Sequence, residues 1–248
     1  MNLENLTTRN CIHCSAEISA KARYCPKCGK SQQTEDDNNV RSEINKFFIA
    51  FAAIAAYILS LYLIKFDGTS VNNILIDAIF IIIVIVLAFF FWKDIKETLK
   101  FHSFSFGKLS MYLGLQAILT GLVYLLLLLI QNITELKNPN ILDSYSDSAY
   151  PFLIAFISIA VIPPLTEELG FRAILFNQLL KLTSGTSTVV VTGILFGLLH
   201  FSVISFVWLI PAGFFFGWMR LRENTIWYGV CCHFLHNFAM IMISYYTI

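Results

Sequence analysis

The chain has 248 residues, 57% of them hydrophobic and 13% charged, about half the charge of an ordinary soluble domain, and its mean hydropathy is +0.69. A soluble globular enzyme is excluded. A net charge of +1, an isoelectric point near 7.6 and the lack of a basic stripe leave no strong case for nucleic acid as a partner.

Charge is unevenly placed, with 13 of the 33 Asp, Glu, Lys and Arg residues in positions 1–46. This head has no apolar h-region, so no cleavable secretory signal is expected and the head is expected to stay in the cytoplasm. It holds four of the six cysteines, as Cys11-Ile-His-Cys14 and Cys25-Pro-Lys-Cys28-Gly29, two CxxC pairs ten residues apart. Each pair makes a tight knuckle presenting two sulfurs to one ion, Gly29 giving the exit of the second its backbone freedom. A reducing cytoplasm disfavours disulfides, so one structural zinc on Cys11, Cys14, Cys25 and Cys28 is expected. So few residues bury too little core to fold without it. His13, inside the first knuckle, is surplus to a completed shell. Residues 31–46 are polar without an apolar period and read as a solvated linker. The expected organisation is a metal-bound head over 1–30, the linker, and a membrane-embedded helical domain over 47–248.

Apolar stretches at Phe47–Ile64, Ile74–Trp92 and Leu109–Ile130 each approach the roughly 20 residues needed to span a bilayer. A fourth, Tyr150–Ile162, is expected to stop at Pro163-Pro164. Phe171–Leu182, Val189–His200, Val203–Met219 and Ile226–Tyr246 follow, the first two short enough to be broken or partly submerged helices. The expected fold is therefore an all-α polytopic membrane protein of seven or eight helical segments with a small N-terminal zinc ribbon. Lys93, Lys96, Lys100 and Lys108 put loop 93–108 in the cytoplasm by the positive-inside rule, and with it the head. Arg220 and Arg222 prefer the same side, yet eight full crossings place them opposite. Cys231 and Cys232 read as small buried thiols.

Three polar motifs interrupt the apolar segments. Glu167, Glu168 and Arg172 follow the two prolines, each ion costing about 2.5–3.5 kcal/mol at mid-bilayer unless it meets a partner or water. Glu168 and Arg172 are i,i+4 neighbours on a helix, while Glu167 points about 100° away and keeps its carboxylate for another task. Phe196 and His200 form an FxxxH pair. His233 and Asn237 form an HxxxN pair on one helix face, with His236 turned aside.

In that order the three motifs resemble the CPBP family of intramembrane proteases, also known as the CAAX-protease and bacteriocin-processing or Abi family. The resemblance covers roughly residues 110–246 and rests on Glu167-Glu168-xxx-Arg172, Phe196-xxx-His200 and His233-xxx-Asn237. It implies a membrane-embedded helical peptidase of the plasma membrane, with Glu167, Glu168, Arg172, His200, His233 and Asn237 as site residues and a peptide or membrane protein as substrate. The cysteine head resembles short zinc-ribbon modules at bacterial N-termini over residues 11–30, and a protein is the partner class expected for it. HExxH, GxSG and YD/GxGD sites are absent from the sequence.

Two chemistries fit these residues. In one, Glu167 and His200 hold and deprotonate a water while His233 and Asn237 donate to the oxyanion. In the other, Glu167, His200 and His233 bind a catalytic zinc and leave a fourth position to water. The metal-free scheme is preferred because Asn237 beside His233 makes a donor pair. A non-catalytic immunity or sensor protein of the same fold is the alternative function. Phe196, Phe214, Phe215, Phe216 and Trp218 are candidates to line the substrate cavity.

Overall fold

The computed structural model describes residues 8–19, 25–28, 35–64, 69–101, 104–134, 140–200 and 205–246. The chain divides into two compact units, Met1–Asn45 and Lys46–Ile248.

In the first unit, β1 (Thr8–Asn10) and β2 (Glu17–Ser19) pair antiparallel with Arg9 opposite Ile18, and Cys11, Ile18 and Cys25 form a small buried core. Ser15 follows Cys14 with φ 56°, a left-handed conformation that favours glycine. It holds the place after the first knuckle that Gly29 holds after the second; Gly29 itself lies outside the described residues. Residues 35–45, expected as an irregular linker, are instead the opening turns of α1 (Glu35–Ile64). Polar composition reports solvation, and the apolar turns further along propagate the helix back through it.

The second unit continues with α2 (Ser70–Phe90), the short α3 (Trp92–Ile95), α4 (Phe106–Thr134), α5 (Pro151–Leu180), α6 (Gly185–Leu198), α7 (Phe206–Glu223) and α8 (Trp227–Tyr246). Four helical stretches, Asn39–Ser60, Ser70–Phe90, Phe106–Ile133 and Pro151–Leu180, are long and apolar enough to cross a membrane. Ile54, Ile95, Phe171, Ile174, Leu175 and Phe196 are buried together at the centre of this unit.

The two segments expected to part at Pro163-Pro164 are one helix, α5. The prolines occupy the first positions of an α-helical turn, Ile162–Glu167, flanked by wide π turns over Phe156–Val161 and Glu168–Leu175. Proline breaks a helix because its ring meets the carbonyl four residues back and it offers no N–H. A π turn shifts the bonding partner by one residue, so the helix passes the prolines without that clash. The guanidinium of Arg220 adds a bond from outside, its Nε donating to the Arg172 carbonyl at 3.1 Å.

Merging these segments settles the orientation of the C-terminal part. The end of α7 lies on the same face as loop 93–108: Lys108 Nζ meets Glu223 Oε2 at 2.6 Å, Thr225 donates to the Lys100 carbonyl at 3.1 Å, and the Trp227 indole donates to the Leu99 carbonyl at 2.8 Å. The end of α5 joins them through Lys181 and Asp94 at 2.9 Å. Lys93, Lys96, Lys100, Lys108, Lys181 and Arg222 therefore share one face. Burial works against the Glu223 carboxylate, but Lys108 and the Tyr112 hydroxyl hold its pKa below the ordinary range. The opposite face is tied by Asp147 to Ser70 and by the Ser244 hydroxyl to Asn140 at 2.6 Å.

Helices α6 and α7 cross through paired small residues, Gly193 and Gly197 on one, Gly213 and Gly217 on the other. A Cβ on Gly213 would stand 2.7 Å from the Gly193 carbonyl oxygen, and one on Gly193 would stand 2.4 Å from the Phe214 ring. Such crossings let backbones approach where lipid supplies no hydrophobic drive between helices. Gly213→Ala is expected to cost about 1–3 kcal/mol, the usual range for overpacking, read as a lower thermal midpoint in detergent; an unchanged midpoint would show that the crossing accommodates the added methyl group.

Candidate active site

Four segments meet around Glu167. It sits on α5, thirteen residues or about 20 Å along the helix from Leu180, so the site lies deep within the span. Glu167 Oε2 is 4.0 Å from His200 Nε2 and 3.9 Å from His233 Nε2, and it has no hydrogen-bond partner of its own. The His200 ring is set by its other nitrogen, Nδ1, 2.7 Å from the Phe196 carbonyl. A carbonyl only accepts, so Nδ1 carries a hydrogen and Nε2 is the nitrogen turned toward Glu167. This places a role on the FxxxH spacing: four residues bring the histidine back onto the carbonyl of the phenylalanine one turn earlier.

Glu168 and Arg172 are completely enclosed, at 0% and 1% exposure. Arg172 Nε lies 3.4 Å from Glu168 Oε2, and the guanidinium stands over the Phe196 ring at 4.3 Å, with Phe216 at 5.4 Å and Phe171 at 5.7 Å. Aromatic faces offset part of the cost of burying the cation. Glu168 in turn holds His233, whose Nδ1 is 3.4 Å from Glu168 Oε1, while Phe216 stacks on the imidazole at 5.4 Å. One ring is thus gripped between two carboxylates and an aromatic plane. Asn237 follows on the same helix and donates one amide hydrogen to the Ile159 carbonyl at 2.9 Å, a carbonyl of the first π turn.

A cavity of about 540 Å³ opens on this cluster. Glu167, His200, His233 and Asn237 line it, with Phe196, Phe216 and the apolar face of α4. Of the five aromatic residues expected along it, Phe196 and Phe216 are there; Phe214, Phe215 and Trp218 are not. Phe214 is taken up by the glycine crossing at Gly193, and Trp218 is partly exposed. His236, expected to turn aside, lines the cavity as well, its Nδ1 3.1 Å from the Thr120 hydroxyl, which also accepts from Gln116.

Residues 149–239 match the Rce1-like family of type II CAAX prenyl endopeptidases. The matched stretch takes in α5 to most of α8 and so contains Glu167, Glu168, Arg172, His200, His233 and Asn237. The Rce1-like region leaves out the cysteine head and α1, α2 and α4. Over 95 residues the chain is 30% identical to "Putative membrane peptidase YdiL" of Bacillus subtilis (strain 168), an overlap covering 38% of this chain and 38% of that protein. No solved structure matches the chain.

Two further residues stand against this cluster outside its three motifs. A Cβ on Gly229 would stand 2.7 Å from Glu168 Oε2, so only glycine lets α8 come close enough for His233 to reach Glu168. Asp77 on α2 stands across a second cavity from Glu167. An ionisable residue inside Ile74–Trp92 carries the same membrane cost that singles out Glu167, a signal present in the sequence itself.

The two candidate metal sets differ in geometry. In the head, the ligand atoms of Cys11, Cys14, Cys25 and Cys28 lie within 4.8 Å of one another, with Cys11 to Cys28 and Cys14 to Cys25 both at 3.7 Å between sulfurs. A tetrahedral ion with metal–sulfur bonds of about 2.3 Å places its sulfurs about 3.8 Å apart. The four thiols can therefore hold one metal ion such as zinc. Burial pushes the Cys11 thiol up, but the backbone N–H groups of His13 and Cys14 outweigh it and bring the pKa to about 6. Glu167, His200 and His233 are more open: Glu167 Oε2 stands 3.9–4.0 Å from the two histidine nitrogens, wider than the roughly 3.4 Å edge of a nitrogen and oxygen zinc site, and among the described residues the four cysteines are the one group of three or more whose ligand atoms all lie within 4.8 Å of one another.

Proposed function

We propose that this protein is a membrane-embedded endopeptidase in which Glu167 and His200 activate a water and His233 and Asn237 stabilise the oxyanion. The observation that carries the reading is the position of Glu167 Oε2, within 4.0 Å of both histidine Nε2 atoms on the wall of the larger cavity. A water making two hydrogen bonds of about 2.8 Å bridges the 4.0 Å gap from Glu167 Oε2 to His200 Nε2. Both of its protons are then accepted, and a lone pair is left to attack the carbonyl carbon.

As the carbon–oxygen bond forms, Glu167 takes one proton from the water. His233 Nε2 is the next acceptor at 3.9 Å. Protonated there, with Nδ1 donating to Glu168, it donates to the oxyanion beside the second amide hydrogen of Asn237. Collapse of the tetrahedral centre breaks the carbon–nitrogen bond, and the proton passes to the departing amine. Glu168 and Arg172 act through His233 by fixing its ring. The Rce1-like match supports a peptide substrate held at the bilayer, and the apolar α4 wall suits a segment that enters from lipid. In purified, reconstituted protein, peptide cleavage that disappears with Glu167→Gln supports the reading; cleavage that persists overturns it.

For the head, the fitted reading is one structural zinc on Cys11, Cys14, Cys25 and Cys28. Elemental analysis of the full protein is expected to give one zinc per chain, falling toward zero when Cys25 and Cys28 are changed to Ser; no zinc in the unaltered protein would refute it. The shared basic face is read as cytoplasmic, with the head on the same side. A single cysteine introduced at Lys96 is expected, relative to the unaltered chain carried in parallel, to add no labelling by a membrane-impermeant thiol reagent in intact cells and to add labelling after permeabilisation. Added labelling of intact cells would reverse the orientation.

A further inference from the structure

Glu167 and His200 stand on a partition. The larger cavity lies on one side, and on the other is a smaller one of about 210 Å³ whose walls include Tyr57, Asp77 and Thr166 together with Glu167 and His200. Two carboxylates thus face one half-open and otherwise mostly apolar space, and among the described residues its lining contains no Lys or Arg. Asp77 takes one hydrogen bond from Ser158, and its Oδ2 is buried without a partner, as is Glu167 Oε2. The Tyr57 hydroxyl is committed to the Ile76 carbonyl at 2.5 Å, and that of Thr166 to the Ile162 carbonyl at 2.9 Å, so neither supplies the missing donor.

A buried acceptor without a donor carries a desolvation cost that ligand binding can relieve. Neutral donors relieve it in part. A primary ammonium supplies three N–H groups and the opposite charge to both carboxylates, and charge-assisted bonds of this kind are the strong ones. We infer that the smaller cavity is a subsite for a primary ammonium group, anchored by Asp77. Where the peptidase reading holds, that group is either a substrate lysine side chain or the amine freed by cleavage, since both carry the same chemistry.

The test uses the full protein in nanodiscs with n-butylammonium chloride as probe, and n-butanol and sodium chloride as controls for apolar binding and ionic strength. Butylammonium is expected to raise the thermal midpoint more than either control, and the apparent affinity is expected to fall about ten- to a hundredfold in Asp77→Asn. Butanol matching butylammonium in the unaltered protein, or an undiminished response in a folded Asp77→Asn, would overturn the proposal. Should Asp77→Asn fail to fold, the comparison of the three additives in the unaltered protein still decides it. These readouts need no turnover, so they stand apart from the peptidase reading. With a cleaved peptide in hand, preference for Lys over norleucine next to the scissile bond identifies the side chain as the ligand. Product inhibition by the amine fragment, relieved in Asp77→Asn, identifies the new amine.

Discussion

Glu167→Gln is expected to lower turnover by about 10²–10⁴, the range that general acid–base catalysis contributes, while leaving membrane insertion and the thermal midpoint near those of the unaltered protein. Gln keeps the size and most of the hydrogen bonding of Glu but cannot take the proton of the bridging water. The fold has little at stake at this carboxylate, because its nearest groups are two imidazoles at 3.9–4.0 Å with no hydrogen bond between them. A reconstituted cleavage assay run beside thermal unfolding separates the two outcomes. A stable, fully active Glu167→Gln would remove Glu167 from the chemistry, and a stable, inactive Glu168→Gln beside it would transfer the role to its neighbour.

Arg172→Met is expected to act differently, lowering stability by about 3–5 kcal/mol, the cost of leaving a buried ion without its partner. Glu168 has 0% exposure and no route to water once the guanidinium is gone. Activity is expected to fall along with stability, because Glu168 also holds the His233 ring. The double change Arg172→Met with Glu168→Gln is expected to recover part of the stability, since no charge is then stranded, without recovering activity. Chemical unfolding of the single and double variants in detergent measures both terms; equal midpoints for Arg172→Met and the unaltered protein would mean the pair is not needed for the fold.

The sequence and the structure agree where a rule acts over a single helical turn. The membrane cost of charge singled out Glu167, Glu168 and Arg172, the i,i+4 spacing paired the last two, and His233 and Asn237 fall on one cavity wall as their spacing required. Agreement ends where one element meets another. Gly229 reads as an ordinary helix glycine until α8 is seen against Glu168, and Asp77 reads as an isolated charge until α2 is seen across from Glu167. Helical angle alone turns His236 aside from His233, but the cavity is wide enough for α8 to present three polar residues to it. Splitting α5 at its prolines applied a sound rule to the wrong helix type. The π turns lift the constraint, and with it the conflict over which side Arg222 occupies.

The π turns also make α5 sensitive to length in a way that composition does not show. Each wide turn holds one residue more than an α-helix of the same path would, so Phe156–Val161 and Glu168–Leu175 act as phase shifters that set the angle at which later side chains leave the axis. A deletion inside a wide turn would be absorbed as that turn relaxed to α geometry over the same path, but deleting one residue from the regular turn between them, Ile162–Glu167, would turn everything downstream by about 100°. Hydropathy, charge and span length would be almost untouched. Glu167 would leave the partition between the two cavities, and Arg172 would leave its aromatic enclosure. The register of this helix, counted residue by residue from Pro151, is therefore as much a part of the site as the identity of the groups it carries.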